Sequence, residues 1–193
     1  MMGMRIFACV LWLSLTVAQG ASPVRVIVQT PMGEIEMEID AAHAPLTSAN
    51  FLKYVDGGLY DGGRFHRTVR PDNQVEKPVK IAVIQGAANP DRSADFLPPI
   101  ALERTSVTGL KHQDGAVSMA RAAVDSATHE FFICVGAQPE LDFGGKRNPD
   151  GQGFAVFGRV VRGMDVVRRI QSSPAQGETL SPPIAITRMR RAS

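Results

Sequence analysis

The sequence predicts a mainly β domain, an antiparallel barrel or sandwich with two helices. Three observations support this: short β-type runs separated by Gly- and Pro-containing loops, only two segments with helical spacing, and no regular alternation of strand and helix. A length of 193 residues suits one domain with a substantial core. The net charge of +2 gives no sign of nucleic-acid binding.

The first twenty residues have the pattern of a secretory signal peptide. Arg5 supplies the positive start, and an apolar run over 6–17 leads to a small-residue cleavage site that ends at Gly20. The run is shorter than the roughly 20 residues of a membrane span, although an uncleaved N-terminal anchor stays an alternative. We assign 1–20 to the signal and 21–193 to one domain. We expect export, with the periplasm as the destination, and no membrane span after cleavage.

The domain opens with a predicted hairpin. Residues 24–28 and 34–39 alternate apolar and polar side chains around a turn, which is typical of a sheet with one face in water. A helix is predicted over 45–55, because Pro45 suits its first turn and two glycines follow it.

The remaining elements are mostly short strands. They are predicted at 64–69, 81–85, 115–120, 131–135 and 154–161, with a second helix at 164–170 and a last strand at 184–189 that could pair with the first. Cys9 falls within the signal, so Cys134 is left alone, and its apolar neighbours predict a buried thiol with no internal disulfide.

Several motifs, in order along nearly all of the domain, resemble the cyclophilin family of peptidyl-prolyl cis-trans isomerases. They are PLTSANF at 45–51, YDGGRFHR at 60–67, VIQG at 83–86, GAVSMAR at 115–121, DSATHEFFI at 125–133 and FAVFGRVVRGMDVV at 154–167. The resemblance implies a closed eight-stranded antiparallel barrel capped by two helices, with an outer groove that receives a proline. It also implies an enzyme that acts on proline-containing polypeptides. We expect a monomer.

Such a reaction makes and breaks no bond, so it needs no cofactor or metal. Rotation about a peptide bond is opposed by a barrier of about 18–20 kcal/mol, because amide resonance must be broken. A site accelerates it by favouring the twisted amide, whose prolyl nitrogen regains a lone pair, over the planar forms. A fixed cation beside that nitrogen would do so. Arg67 matches the family's catalytic arginine, and its planar fork could contact the substrate carbonyl as well.

The resemblance also implies the substrate-binding residues. Phe132 would form the floor of the proline pocket, with Phe131 facing the core, since strand neighbours face opposite sides. Further predicted contacts are Met119 and Val83 in the pocket, Gln85 and Ala120 on the substrate backbone, Glu130 beside them, and Phe154 and Leu141 at the rim.

The chain departs from the family pattern at several positions. Residues 70–80 contain an insertion, and Ala82 replaces a large pocket phenylalanine, so the pocket could be wider or filled by an inserted side chain. Glu130 replaces a glutamine and could pair with Arg67 or compete with substrate for it. Arg121 replaces an asparagine. Outside the signal the domain has no tryptophan, so we expect weak cyclosporin inhibition, which a nanomolar inhibition constant would contradict.

Two other functions stay open. The first is a chaperone or scaffold module of the same fold, which would hold proline-containing segments with little turnover. Ala82 and Glu130 favour that alternative. The second is a structural envelope protein that only reuses the barrel.

Overall fold

The computed structural model describes residues 24–192, so the predicted signal at 1–20 lies outside the described residues. Ten strands form one antiparallel sheet in the order β10-β1-β2-β7-β5-β6-β4-β3-β9-β8. In chain order they are β1 Val24–Thr30, β2 Gly33–Ile39, β3 Arg64–Val69, β4 Val83–Ala87, β5 Ala116–Met119, β6 Phe131–Cys134, β7 Ala155–Arg162, β8 Ala175–Gln176, β9 Thr179–Ala185 and β10 Arg188–Arg191.

Three α-helices accompany the sheet: α1 Pro45–Asp56, α2 Thr105–Thr108 and α3 Met164–Gln171. Short 3-10 helices lie at Pro90–Asp95 and Pro139–Leu141. The two predicted helices are confirmed as α1 and α3, whereas α2, a single four-residue turn, has no periodic signal that could predict it. Within 24–192, no helix has the length and apolar character needed to cross a membrane.

The fold is mainly β, as expected, but its hydrogen-bonded sheet is not the closed eight-stranded barrel that the resemblance implies. The sheet has ten strands, and its two ends are not hydrogen-bonded to each other as a ladder within the described chain. The chain itself connects β10, at one end, with β9, next to the other end, because only Ile186 and Thr187 separate these two strands. The backbone of Ile186 bonds to that of Gly62 and Gly63, and the Thr187 N–H donates to the Gln29 carbonyl. The predicted last strand is thus divided between β9, on β3, and β10, on β1.

The main core lies between the concave face of the sheet and helix α1. Four aromatic side chains meet there: Phe51 of α1 lies 5.3 Å from Tyr60, 5.7 Å from Phe131 and 4.9 Å from Phe157, measured between ring centroids. All four are fully buried. Helix α1 is anchored on the sheet by the aromatic cluster, because Phe51 lies on its buried inner face.

The alternation predicted for the first hairpin is confirmed. Val26, Val28, Ile35, Met37 and Ile39 are buried, Val24 is partly buried, and the three glutamates lie on the outer face. There Glu36 and Glu38 both pair with Arg25, and Glu38 also pairs with Arg159. These exposed pairs contribute little to stability individually, so the fold depends on the apolar face.

Candidate active site

Arg67 lies on β3 at a point where that strand is irregular. The register between β3 and β4 shifts between Phe65 and Arg67, and Arg67 then stands opposite Gln85. Its Nη1 donates a 2.8 Å hydrogen bond to Gln85 Oε1. Irregularities of this kind redirect side chains and are frequent beside active sites. The guanidinium is therefore held towards β4 by a residue that the motifs place in substrate binding.

Glu178 holds the other edge of the Arg67 guanidinium. It lies in the turn between β8 and β9, and its Oε2 accepts hydrogen bonds from Arg67 Nε, at 2.9 Å, and from Arg67 Nη2. Charge-assisted hydrogen bonds of this kind are stronger than neutral ones and fix orientation. No local sequence pattern connects Glu178 with Arg67, which is 111 positions away, so only the folded chain identifies this partner.

Glu130 does not pair with Arg67, so that part of the expectation is wrong. Its carboxylate instead accepts a hydrogen bond from Gln85 Nε2. Among the residues of the described domain, the acidic partner of Arg67 is Glu178. The amide of Gln85 thus bridges the guanidinium and the Glu130 carboxylate, with its oxygen towards the cation and its nitrogen towards the anion.

A recess of about 240 Å³, with apolar walls and a polar rim, opens beside Arg67. Its apolar lining is formed by Ile81, Val83, Ala120, Phe132, Leu141 and Phe154. These side chains form or contact a second buried cluster, separate from the main core. The recess therefore brings together the predicted residues Arg67, Val83, Gln85, Ala120, Phe132, Leu141 and Phe154.

Phe132 forms one wall of this recess and is itself held from two sides. Its ring stacks on His112, with 5.8 Å between centroids and 10° between planes, and meets Phe154 edge-on at 5.5 Å. Phe131, its neighbour, packs in the main core against Tyr60 and Phe65. The two phenylalanines thus face opposite sides of β6, as strand geometry requires.

Met119 does not line the recess. It is 1% exposed and belongs to the main core. The alternation of side chains along β5 explains this position: Ala116 contacts the second cluster, whereas Val117 and Met119 point into the main core. The position of Met119 therefore differs from the predicted place in the proline pocket, and Ala120 is the residue of this segment that reaches it.

The inserted segment 70–80 does not fill the recess, since none of its residues is among the lining. Buried Gln74 closes the segment on itself, because its amide donates to the Ile81 carbonyl at 2.8 Å and accepts from the Ile81 N–H at 3.2 Å. Ile81 lines the recess, whereas the small Ala82 does not. The substitution at Ala82 therefore leaves an apolar residue, one position earlier, in the wall.

Arg121 forms part of the rim and is fully paired. Its two terminal nitrogens donate to Asp150 at 2.7 and 2.9 Å, and the guanidinium lies 5.1 Å from the centre of the Phe154 ring. The hydrogen bonds from Arg121 lower the pKa of the Asp150 carboxyl. The replacement of an asparagine by Arg121 thus adds a structural tie for Phe154.

A larger cleft, of about 760 Å³, lies elsewhere, between β2, β7 and the segment 110–114. It contains none of the predicted substrate-binding residues. Its size alone does not make it the reaction site, because Arg67, Gln85 and Phe132 of the motifs all lie at the smaller recess. Within 24–192, no three His, Cys, Asp or Glu side chains are grouped to hold a metal ion.

His112 lies behind the recess in a buried polar array. Its Nδ1 is 2.7 Å from Asp142 Oδ1, and its Nε2 is 3.0 Å from Ser118 Oγ. Burial lowers the pKa of His112, partly opposed by its hydrogen bond to Asp142. The neutral ring therefore donates through Nδ1 to the carboxylate and accepts from the Ser118 hydroxyl. Cys134, nearby, is buried as predicted, and burial raises the pKa of its thiol.

Acidification should destabilise the domain through buried His112 and the partly buried His66 and His129. Burial lowers the folded pKa of His112, and also those of His66 and His129, below the usual 6.5. The unfolded chain therefore binds more protons below about pH 6.5, so their contribution to stability is complete above that pH and decreases as the pH falls towards the folded pKa values. Each can contribute a slope of at most about 1.4 kcal/mol per pH unit.

Urea unfolding at a series of pH values between 8 and 5 tests this. We expect the free energy of unfolding to decrease below pH 6.5 in the wild type and to decrease less steeply in His112→Gln. The comparison of slopes separates protonation from any general loss of stability in the variant. Parallel slopes would mean that His112 is not a buried neutral group.

The comparisons with known proteins agree with this geometry. The family model described as "Cyclophilin type peptidyl-prolyl cis-trans isomerase/CLD" matches residues 25–191. The chain is 36% identical to peptidyl-prolyl cis-trans isomerase A of Dickeya dadantii over 187 residues, which cover 94% of this chain and 90% of the relative. It is 40% identical to peptidyl-prolyl cis-trans isomerase cyp18 of Streptomyces antibioticus over 144 residues, which cover 74% and 80%.

A solved structure has the same fold. It is the crystal structure of a cyclophilin type peptidyl-prolyl cis-trans isomerase of Cryptosporidium parvum, which superposes with a TM-score of 0.70 at 19% identity, over 89% of this chain and 99% of that one. The family model and the bacterial relatives each span most of the described domain. The chain therefore belongs to the cyclophilin-type peptidyl-prolyl cis-trans isomerase family.

Proposed function

We propose that this cyclophilin-type isomerase accelerates rotation about X-Pro bonds by holding the proline ring in the apolar recess with Arg67 against the rotating amide. The observation that carries the proposal is a guanidinium held from two sides beside an apolar recess. Arg67 bonds to Gln85 at 2.8 Å and to Glu178 at 2.9 Å, next to a cavity of about 240 Å³. A cation that is already oriented needs no reorganisation while the amide rotates.

Arg67 would act on the amide in its twisted state. As conjugation is lost, the prolyl nitrogen regains electron density and attracts a nearby donor more strongly than the planar amide does. An interaction that strengthens only there lowers the barrier, and each 1.36 kcal/mol of selective stabilisation is worth about tenfold in rate. The low polarity of the Phe132, Leu141 and Phe154 walls increases the strength of this interaction.

Gln85 and Ala120 would hold the substrate backbone. Gln85 is oriented by Arg67 on one side and by Glu130 on the other, so Glu130 serves binding through Gln85. The Ala120 N–H already donates to the Glu130 carbonyl at 2.9 Å, which leaves the Ala120 carbonyl as its free backbone group for a substrate donor.

Exchange spectroscopy by NMR on an Ala-Pro peptide tests the proposal. Catalytic amounts of wild-type protein should produce cis–trans exchange cross-peaks that the free peptide lacks, because uncatalysed exchange takes tens to hundreds of seconds. Ala120→Trp should abolish them by filling the recess, whereas Ala101→Trp, an equal change at an exposed position, should not. Equal acceleration by both variants would place the reaction outside the recess.

A binding module with little turnover is the second candidate, and the Arg67–Glu178 pair favours it, because substrate must share the guanidinium with a carboxylate. Changes in the chemical shifts of the peptide without exchange cross-peaks, in the same spectra, would identify such a binding module. The absence of both shifts and exchange would support a purely structural protein.

Glu178 gives a further prediction as a positioning residue for Arg67. Glu178→Ala should lower kcat about tenfold and leave KM within about twofold, because the guanidinium then searches several orientations instead of one. Glu178→Gln keeps a hydrogen-bond acceptor and should lose only about threefold. Peptide turnover kinetics check both, and a rise in kcat in either variant would mean that Glu178 restrains Arg67 instead of orienting it.

We also propose that the protein is exported to the periplasm, loses residues 1–20 and acts there as a monomer. The charged start, apolar run and small-residue cleavage site of the sequence support export. Cell fractionation followed by N-terminal sequencing checks the location and the cleavage, and light scattering of the mature chain checks the oligomeric state. A full-length chain in the membrane fraction would support the uncleaved anchor instead.

A further inference from the structure

A second arginine, Arg147, lines the recess together with Arg67. It belongs to the long loop between β6 and β7, after the 3-10 helix Pro139–Leu141. One terminal nitrogen, Nη1, donates to Gln74 Oε1 at 2.7 Å and to the Val79 carbonyl at 2.6 Å. Arg147 thereby ties its loop to the inserted segment 70–80, and both its partners are uncharged.

The other two arginines that line the recess have carboxylate partners, and the Glu130 carboxylate, bonded to Gln85, is in no ion pair within residues 24–192. Arg67 pairs with Glu178, and Arg121 pairs with Asp150. Arg147 forms no ion pair with any residue in the range 24–192, and its Nε and Nη2 make no hydrogen bond to that part of the chain. Burial and the proximity of Arg67 lower the pKa of Arg147, partly opposed by Glu178. An unneutralised, half-buried cation in a binding recess favours an anion supplied by the ligand.

We propose that Arg147 forms an anion subsite at the rim of the recess, so that the protein prefers proline segments with an aspartate or glutamate directly before or directly after the proline. The inference rests on the proposed function, because it names the class of peptide that the same recess prefers. The free edge of the guanidinium, Nε and Nη2, is the edge that can bind a carboxylate through two parallel hydrogen bonds. Bound acid would neutralise the one cation of the recess that the described chain leaves unpaired.

Peptide pairs that differ only in charge test the subsite. Glu and Gln are compared at the residue before the proline in one pair and at the residue after it in the other, with kcat/KM from exchange spectroscopy and Kd from NMR titration. In wild type we expect at least one position to favour Glu by about fivefold in Kd, decreasing at high salt because the rim is open to solvent. Equal values for Glu and Gln at both positions would overturn the proposal.

Variants separate charge from loop structure. Arg147→Gln should bring the Glu/Gln ratio close to one, Arg147→Lys should restore most of it, and Arg168→Gln, which removes an equal charge from a distant exposed pair with Asp114, should leave it unchanged. Gln74→Ala removes one of the two hydrogen bonds between Arg147 and the inserted segment but keeps the charge, so the Glu/Gln ratio should persist. A preference for Glu that survives in Arg147→Gln would assign it to another group.

The two proposals fail differently. If the protein accelerated no peptide, the proposed function would fail, but the Kd ratio from the same titrations would still decide the subsite. If it accelerated Glu and Gln peptides equally and bound them equally, the function would stand and the anion subsite would not.

Discussion

Replacing Arg67 with alanine should lower kcat/KM by about 100-fold or more, the largest effect on activity expected for any single residue of this chain. Removal of one preorganised donor from an active site costs about 10²–10³ in rate when its interaction strengthens in the transition state. Binding should change much less, within about threefold in Kd, because the apolar walls that hold the ring stay in place. Exchange spectroscopy and peptide titration measure the two quantities separately.

The control for this change is Arg67→Lys together with thermal unfolding of both variants. Lysine keeps the charge but loses the planar fork that bonds Gln85 and Glu178 at once, so an intermediate loss of about tenfold is expected. Glu178 is 24% exposed in the pair, so water can solvate it when Arg67 is removed, and the melting temperature should change little. An alanine variant with wild-type turnover would remove Arg67 from the mechanism.

The second large effect concerns two adjacent phenylalanines with opposite roles. Phe131→Ala should cost about 3–5 kcal/mol of folding stability, because it opens a cavity among the aromatic rings of the main core. For a domain of this size that corresponds to a decrease of roughly 10 °C or more in melting temperature. At a temperature where the variant is still folded, its turnover per folded molecule should stay within about threefold of wild type.

Phe132→Ala should show the reverse pattern. It removes the floor of the recess, so peptide affinity and kcat/KM should each decrease by at least about tenfold, with a smaller decrease in melting temperature than for Phe131→Ala. Calorimetry and turnover measured on both variants decide the matter. If both substitutions affected stability and activity to the same extent, the main core and the recess would be one energetic unit rather than two clusters.

Much of the site could be predicted from the sequence because its residues lie within contiguous motifs. Arg67, Gln85 and Phe132 each lie in a strand segment that matches a family motif. The resemblance places Phe132 in the pocket, and the alternation of side chains along the strand then turns Phe131 towards the core. The same rule, applied to β5, would have placed Met119 inside with Val117. The motif alone predicts the pocket for Met119, because a motif does not show which face of the strand each side chain occupies.

Other parts could not be predicted because they depend on contacts between distant segments. Glu178 reaches Arg67 only because β9 pairs with β3, and a lone acid in a turn carries no signal of that pairing. Arg147 and Gln74 lie in two irregular loops. Neither hydrophobic periodicity nor turn-forming residues predict the course of such loops, so their contact could not be predicted. The division of the last strand at Ile186 could not be predicted either, because residues 184–189 have the pattern of one continuous strand. It arises because residues 184–185 pair with β3 and residues 188–191 pair with β1.

The pairing of β1 with β10 has a consequence for how the chain matures. Val26 to Gln29 of β1 are bonded to residues 188–191 of β10. One edge of β1 therefore has no partner strand until almost the whole polypeptide has been synthesised. Contacts between such distant segments form late, because a long loop must first be closed. A chain that emerges from its N-terminus would therefore stay incompletely folded until its last strand has been made.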